Sequence, residues 1–553
     1  MKQLKTCFII FCLHFSIING YAQSTHIPIN KTIKIQNPIL PGFNPDPCIV
    51  RVHNDYYIVT SSFEWFPGIP IYHSTDLIQW KQIGHVLDEK SQLDLTGVDD
   101  ADGVYAPSIT YHKGTYYVMF TNVQNGIDWP QKGYPNYIVT ATNPAGPWSE
   151  AIYVNSLGFD PTLFIEEDGS AYILIRIMDH RKGKGASPGI GMHAYDLSTM
   201  KPIGEPLLIY SGWAKQSAEG PKMLKKDGFY YLFTAEGGTG YGHYEAVARS
   251  KNIWGPYERA PKIFYSSADA PDNPVQKAGH GTLFTTPDGQ WYTTHLGSRP
   301  LNPRDNCSLG RETFIQKIEW DKDGWPVLAD GSTIPKIEVS IPVKTIIEVD
   351  QQQYCDMFRK SKLSPEWQTL REPANDSWLT INPSKGILSM RGRHALGSRF
   401  RESLIAQRIT SYQQDFETCI EFNPTNYRHT AGLTCYYNTC HFFSLALTHD
   451  DEGKVLKLTE ADKEYNELLK IKLPDNLIEK VYMKIHIDGY NLQYSYSFDG
   501  TKWESIGKVL DFGKISDDYA KGYTGAMVGL FVSDQMYEDK WANFHYFKVT
   551  TNK

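Results

Sequence analysis

The sequence predicts an all-β protein, a five-bladed β-propeller followed by a β-sandwich, and two observations carry that prediction. Five segments open alike at a period of 54 to 61 residues, each with an N/G-x-x-Y tetrad heading an aromatic strand. The tetrads run Asn54 to Tyr57, Gly114 to Tyr117, Gly169 to Tyr172, Gly228 to Tyr231 and Gly289 to Tyr292. A period of that size with several short strands per unit marks a propeller. From about Asp356 the repeat gives way to period-2 alternation, as in Tyr494, Tyr496 and Phe498, the pattern of a sandwich.

In chain order, residues 1–22 read as a signal peptide. Lys2 and Lys5 give a positive start, Phe8 to Ile18 an apolar stretch too short to span a bilayer, and Gly20-Tyr21-Ala22 a small-x-small cleavage site. An exported protein, periplasmic or extracellular and without a membrane span, is expected. Residues 36–340 hold the propeller. Residues 334–352, rich in Ile, Val, Pro, Lys and Gln, read as the crossing into a sandwich domain over 350–553. Two domains suit 553 residues. The net charge of −7 and the lack of any basic run argue against nucleic acid as a partner. Cys48, Cys307, Cys355, Cys419, Cys435 and Cys440 follow the leader. They are too few for a disulfide framework and lack zinc-ligand spacing, so most are expected as buried thiols.

A short strand with Gly and Pro around it precedes each tetrad tyrosine. The five read GFNPDP with Asp46, GVYAPS with Ala106, GFDPTL with Asp160, SAEGPK with Glu219 and AGHGTL with His280. The innermost strand of every blade lines the central channel, so equivalent positions converge on one axis. Alone, Asp46 between Pro45 and Pro47 reads as a turn-capping aspartate. Asp160 and Glu219 in the same register change that reading, because like charges gathered in one pocket are unfavourable unless chemistry uses them. Glu236, in Ala235-Glu236-Gly237, repeats the tripeptide around Glu219 but follows the aromatic strand, and is expected to play a supporting part.

The segments GFNPDPCIV, SSFEWFPGIPIYHSTDL, GFDPTLF, AEGPKML, TAEGGTGYGH, KAGHGTL and LGRETFIQ resemble the motifs of glycoside hydrolase family 43. RGRHALGSRF and GLTCYYNT extend the likeness into the sandwich, towards the family's β-xylosidases with a C-terminal, concanavalin-like domain. The resemblance implies inverting hydrolysis, with Asp46 as general base, Glu219 as general acid and Asp160 orienting the acid and raising its pKa. It implies Arg311 as a contact to sugar hydroxyls, and Phe63, Tyr105, Ala106 and Thr239 as pocket lining. His280 would lie at the pocket floor, where family members sometimes hold calcium; no cofactor is otherwise expected. Tyr523 would reach into the pocket from the sandwich. Tyr105 stands where Trp is common and Tyr523 where Phe is usual, which leaves the choice between xylose and arabinose open.

The chemistry makes the same demand. An inverting glycosidase needs a protonated carboxyl at the leaving oxygen and an ionised one holding water about 6.5–9.5 Å away across the sugar. The expected activity is exo-acting release of xylose from xylo-oligosaccharide or arabinoxylan fragments, with α-L-arabinofuranose as a second product and a homo-oligomer compatible with it. A dedicated α-L-arabinofuranosidase and a non-catalytic glycan-binding propeller are the alternatives. The latter would be expected to have lost one of the three carboxylates. A retaining fructan hydrolase lacks support, for want of Arg-Asp-Pro and Glu-Cys signatures.

Overall fold

The glycine of the repeated tetrad is there to make a turn. At Lys113-Gly114 and Asp227-Gly228 both residues have positive φ (46° and 89°, 50° and 76°), the backbone of a tight hairpin between twisted strands. Each hairpin joins the inner strand of a blade to the aromatic strand beside it. The structure is a computed structural model describing residues 31–124, 132–182, 187–214, 218–343, 353–474 and 480–552. The expected signal peptide lies outside the described residues, as does the stretch 344–352 of the expected crossing.

Five antiparallel blades form, each from one continuous stretch of chain. The inner strands are Cys48–Val52, Gly103–His112, Gly158–Ile165, Glu219–Lys226 and Gln276–Thr285, each followed outward by three more, with Tyr265–Ser266 an extra pairing in the fourth blade. Consecutive inner strands pack together, and the fifth packs on the first. A separate apolar cluster fills each gap between neighbouring blades. The tetrad tyrosines Tyr231 and Tyr292 sit in two of them, 2% and 0% exposed. The ring is latched by the segment before the first blade. Lys31–Gln36 pairs with Glu338–Val343. Asn37 then exchanges two hydrogen bonds of 2.9 Å with the backbone of Ile315, and Leu40 bridges Thr313.

The second unit is the expected sandwich, a concanavalin-like pair of antiparallel sheets over one large apolar core that includes Trp378, Phe416, Tyr494 and Phe544. One sheet runs Glu464–Lys472, Gly453–Asp462, His441–Asp450, His429–Asn438, Met527–Asp534, Ser403–Arg408 and Gln368–Leu370. Its last strand is unexpected. Trp65–Phe66, from the first blade, pairs with Thr369 and Leu370 and completes the sheet. Strand addition of this kind satisfies an edge that would otherwise be open. Among the described residues the helical content is a 3-10 turn, Phe512–Lys514, and one α-helical turn, Asp517–Ala520, both on the sandwich side of the junction. Among the described residues no helix is long and apolar enough to cross a membrane. Cys48, Cys307, Cys419 and Cys435 are buried free thiols, while Cys355 and Cys440 are exposed ones.

Because Trp65 is fully buried between the two units, it couples their stability. Trp65→Ala should cost about 3–5 kcal/mol in denaturant unfolding, the usual range for deleting a buried aromatic side chain. A loss under about 1 kcal/mol would show that the shared strand does not hold the domains together.

Candidate active site

The five inner strands kink at one shared depth. In four blades the pairing register breaks, between Tyr105 and Ser108, Phe159 and Thr162, Glu219 and Lys222, and Gly279 and Thr282. The residues at the kink are Ala106, Asp160, Gly220 and His280, with φ of 28°, 60°, 57° and 57°, and Asp46 has 55° in the first blade. Glu219 is therefore one residue upstream of the slot in which the sequence placed it. It shares its register with Phe159 and Tyr105, and Pro47, Pro107, Pro161 and Pro221 are the residues that align. A bulge re-aims the side chains beside it. Gly220 fills the slot because a Cβ there would lie 2.6 Å from Nε2 of His280. Its freed N–H donates to Oδ2 of Asp160 at 2.8 Å, tying the Glu219 strand to the neighbouring carboxyl.

Asp46 is held from three sides. Ser61 Oγ donates to Oδ2 at 2.6 Å and itself accepts from the N–H of Ala106 at 2.7 Å, so Ala106 contributes backbone to the site. Arg311 Nη1 donates to Oδ1 at 2.8 Å, and His280 Nδ1 lies 3.6 Å from the same oxygen. Burial alone would push this carboxyl up. The Arg311 charge, helped by the Ser61 hydrogen bond, outweighs it and holds Asp46 below the ordinary carboxylate range.

The opposite tendency governs the other two carboxyls. Asp160 is pushed up to about 8 by burial and then by the charges of Glu219 and Asp46. Glu219 is raised by burial and by Asp46, against the pull of Arg176 and Arg311. Arg176 forms an ion pair with Oε2 of Glu219, donates through Nε to Ser187 Oγ at 3.2 Å, and lies over the Phe159 ring at 4.6 Å. One pocket thus holds a carboxylate favoured as the anion and a neighbouring pair favoured to keep a proton.

Phe63, Tyr105, Ala106, Thr239, His280, Arg311 and Tyr523 all line the same cavity of about 710 Å³ as the three carboxyls. Tyr523 stacks on Phe63 with centroids 6.2 Å apart, and Phe63 meets Tyr105 at 4.9 Å. Arg311 joins the walls, donating to Thr239 Oγ1 at 3.1 Å and to the Tyr523 carbonyl at 2.9 Å. Gly310, with φ of 76°, allows the close approach, since a Cβ would lie 2.8 Å from Gly525 Cα. Glu236 is buried outside the cavity, accepting from Trp213 N, Thr234 Oγ1 and Tyr244 Oη.

Arg176, Phe159 and His243 are among the lining residues that escaped the sequence reading. Arg176 was a visible anomaly, the one charge in the apolar strand Ala171–Ile177. Phe159 shares Glu219's register and would have been found by aligning the prolines. His243 closes the quoted TAEGGTGYGH motif; its Nδ1 donates to the Lys277 carbonyl at 2.9 Å and burial holds it down to about 4. Burial likewise takes His280 to about 3, so both imidazoles are neutral. His280 Nε2 has no partner among the described residues, and among them no group of three or more His, Cys, Asp or Glu is arranged to hold a metal.

The sequence matches "Glycosyl hydrolases family 43" over residues 35–326 and "Beta xylosidase C-terminal Concanavalin A-like domain" over 355–550. It is 40% identical to a xylan 1,3-β-xylosidase of a Vibrio species, over 94% of this chain and 99% of that protein. It is 32% identical to a non-reducing end α-L-arabinofuranosidase of Bacteroides ovatus, over 94% and 95%. The crystal structure of a xylan β-1,4-xylosidase from Bacillus halodurans superposes with a TM-score of 0.90 at 42% identity, covering 93% of this chain and all of that one. With its propeller, its sandwich and nearly its whole length accounted for in this way, the chain belongs to glycosyl hydrolases family 43.

Proposed function

We propose that the protein is an exo-acting, inverting glycosidase that releases xylose from the non-reducing ends of xylo-oligosaccharides and arabinoxylan fragments, and that it also accepts α-L-arabinofuranosides. The observation that carries this reading is the division of the pocket carboxyls, with Asp46 held ionised and Asp160 and Glu219 held towards the protonated form. In the reaction Asp46 takes a proton from water, whose oxygen attacks the anomeric carbon. Glu219 gives its proton to the departing oxygen as that bond breaks. Asp160 orients the Glu219 strand through Gly220 and disfavours ionisation of Glu219 by like charge. Arg311 meets sugar hydroxyls while keeping Asp46 charged. The exo character rests on the sandwich wall, where Tyr523 stacks against Phe63 and lines the cavity beside the carboxyls. The relatives' names support both sugars and both β-1,3 and β-1,4 linkages. The N-terminal targeting pattern supports action outside the cytoplasm.

Leaving-group dependence tests the roles. Glu219→Gln should lose about 10²–10⁴-fold on alkyl xylosides and far less on an activated aryl xyloside, which departs with little protonation. Asp46→Asn should lose activity on both, because the water is no longer activated. Equal losses for Glu219→Gln on good and poor leaving groups would remove it from the acid role.

Stereochemistry tests the single displacement. A β-xyloside should release α-xylose first, as read by proton NMR before mutarotation. Initial β-xylose would mean a covalent intermediate.

The pH profile of kcat/KM should be a bell. Asp46 must be ionised, and its lowered pKa puts the acid limb below the ordinary carboxylate range. The acid must be protonated, and the raised pKa of Glu219, coupled to Asp160, puts the alkaline limb above that range. Asp160→Asn removes one negative charge beside Glu219, so the alkaline limb should move to lower pH. An unmoved limb would leave Asp160 a purely geometric part.

A further inference from the structure

Glu219 has an unusual neighbour for a proton donor. The guanidinium of Arg176 is paired with Oε2, and Arg176 itself is only 8% exposed. It is fixed from two other directions, by Ser187 Oγ on Nε and by the Phe159 ring beneath it. A charged fork clamped on three sides has one orientation, and so has the carboxyl it grips. The titratable groups near Glu219 lie on several strands. Asp160 lies on Gly158–Ile165 and Arg176 on Ala171–Ile177; Lys222 shares the Glu219 strand, and His280 packs against Gly220. Asp46 and Arg311 act from the first and fifth blades. Of these, Asp160 and Asp46 favour the protonated acid and the cations oppose it.

Resting on the reading of Glu219 as the acid, we propose that Arg176 is its positioning residue. Arg176 anchors Oε2, leaves Oε1 as the oxygen that carries the proton to the departing sugar, and offsets Asp160, so that the two set where the proton of the pair resides in the empty pocket. The proton is neither created nor lost by this arrangement. With Arg176 engaged it is biased towards Asp160; when Glu219 faces a leaving oxygen it passes to Oε1 and thence to the product alcohol. Arg176 is thus a brake on the acid as well as its guide. Its ion pair is with Glu219, whereas that of Arg311 is with Asp46.

The test uses Arg176→Met, which keeps apolar contact with Phe159, and Arg176→Lys, which keeps charge but not the fork. In Arg176→Met the alkaline limb of kcat/KM should move up by about one pH unit or more, since an adjacent cation is removed, and the acid limb should stay. The value of kcat on alkyl xylosides should fall by about tenfold or more while KM changes little, as loss of aim rather than of binding predicts. Arg176→Lys should restore the wild-type limb but only part of kcat. In the double variant Arg176→Met/Asp160→Asn the two opposite shifts should largely cancel, which a mere loss of folding would not produce. An unmoved alkaline limb in folded Arg176→Met, or a rise in KM with kcat intact, would overturn the proposal. Failure of the underlying reading shows separately, as equal losses for Glu219→Gln on good and poor leaving groups.

Discussion

Arg311 stands where the two domains and the chemistry meet. One nitrogen grips Asp46 and Thr239 in the propeller, and the other grips the backbone carbonyl of Tyr523 in the sandwich. Asp46 is buried, and a buried carboxylate without its cation would protonate rather than remain charged. Removing one partner of such a pair typically costs about 3–5 kcal/mol. The ionised state of Asp46 therefore depends on a guanidinium whose own place depends on the second domain. Lys277 repeats the logic nearby: its Nζ binds Asp518 of the sandwich at 2.7 Å while its carbonyl fixes the tautomer of His243. The sandwich is part of the site and not an appendage to it.

The backbone of the propeller carries strain to the same place. A residue before proline is normally driven to extended conformations. Asp46, Ala106 and Asp160 all precede proline and all have positive φ. Strain of this kind costs about 1–3 kcal/mol at each position and persists only where surrounding structure enforces it. Here four-stranded blades and the apolar clusters between them supply the enforcement. The kink turns side chains from the blade face into the channel, which a regular strand cannot do without also exposing the neighbouring residue.

Much of this was legible in the sequence, because repetition makes position informative. The tetrad glycines fix hairpins, the hairpins fix the inner strands, and the inner strands place Asp46, Asp160 and Glu219 around one axis. What failed was register. Counting from the tyrosines put Glu219 in the slot that Gly220 occupies, since a bulge adds a residue that a simple count does not show. Trp65–Phe66 joining the sandwich sheet was illegible for a different reason: two residues carry no periodicity, and pairing with Thr369 and Leu370 is a contact across some three hundred residues. Arg176 lay between the two cases. A lone arginine in an apolar strand announces a buried partner, but not which carboxyl it will find.

The pocket divides its carboxyls, with a proton held between Asp160 and Glu219 and Asp46 favoured as the anion. Infrared difference spectroscopy of the carboxylic C=O band measures this directly, and comparison with Asp160→Asn cancels the other buried acids Glu64, Glu245 and Glu402. Wild type should lose the shared proton's carboxyl band at higher pH than Asp160→Asn loses its own, since the variant lacks the second negative charge that holds that proton. Identical pH-dependent spectra for the two proteins would show that Asp160 and Glu219 do not share a proton.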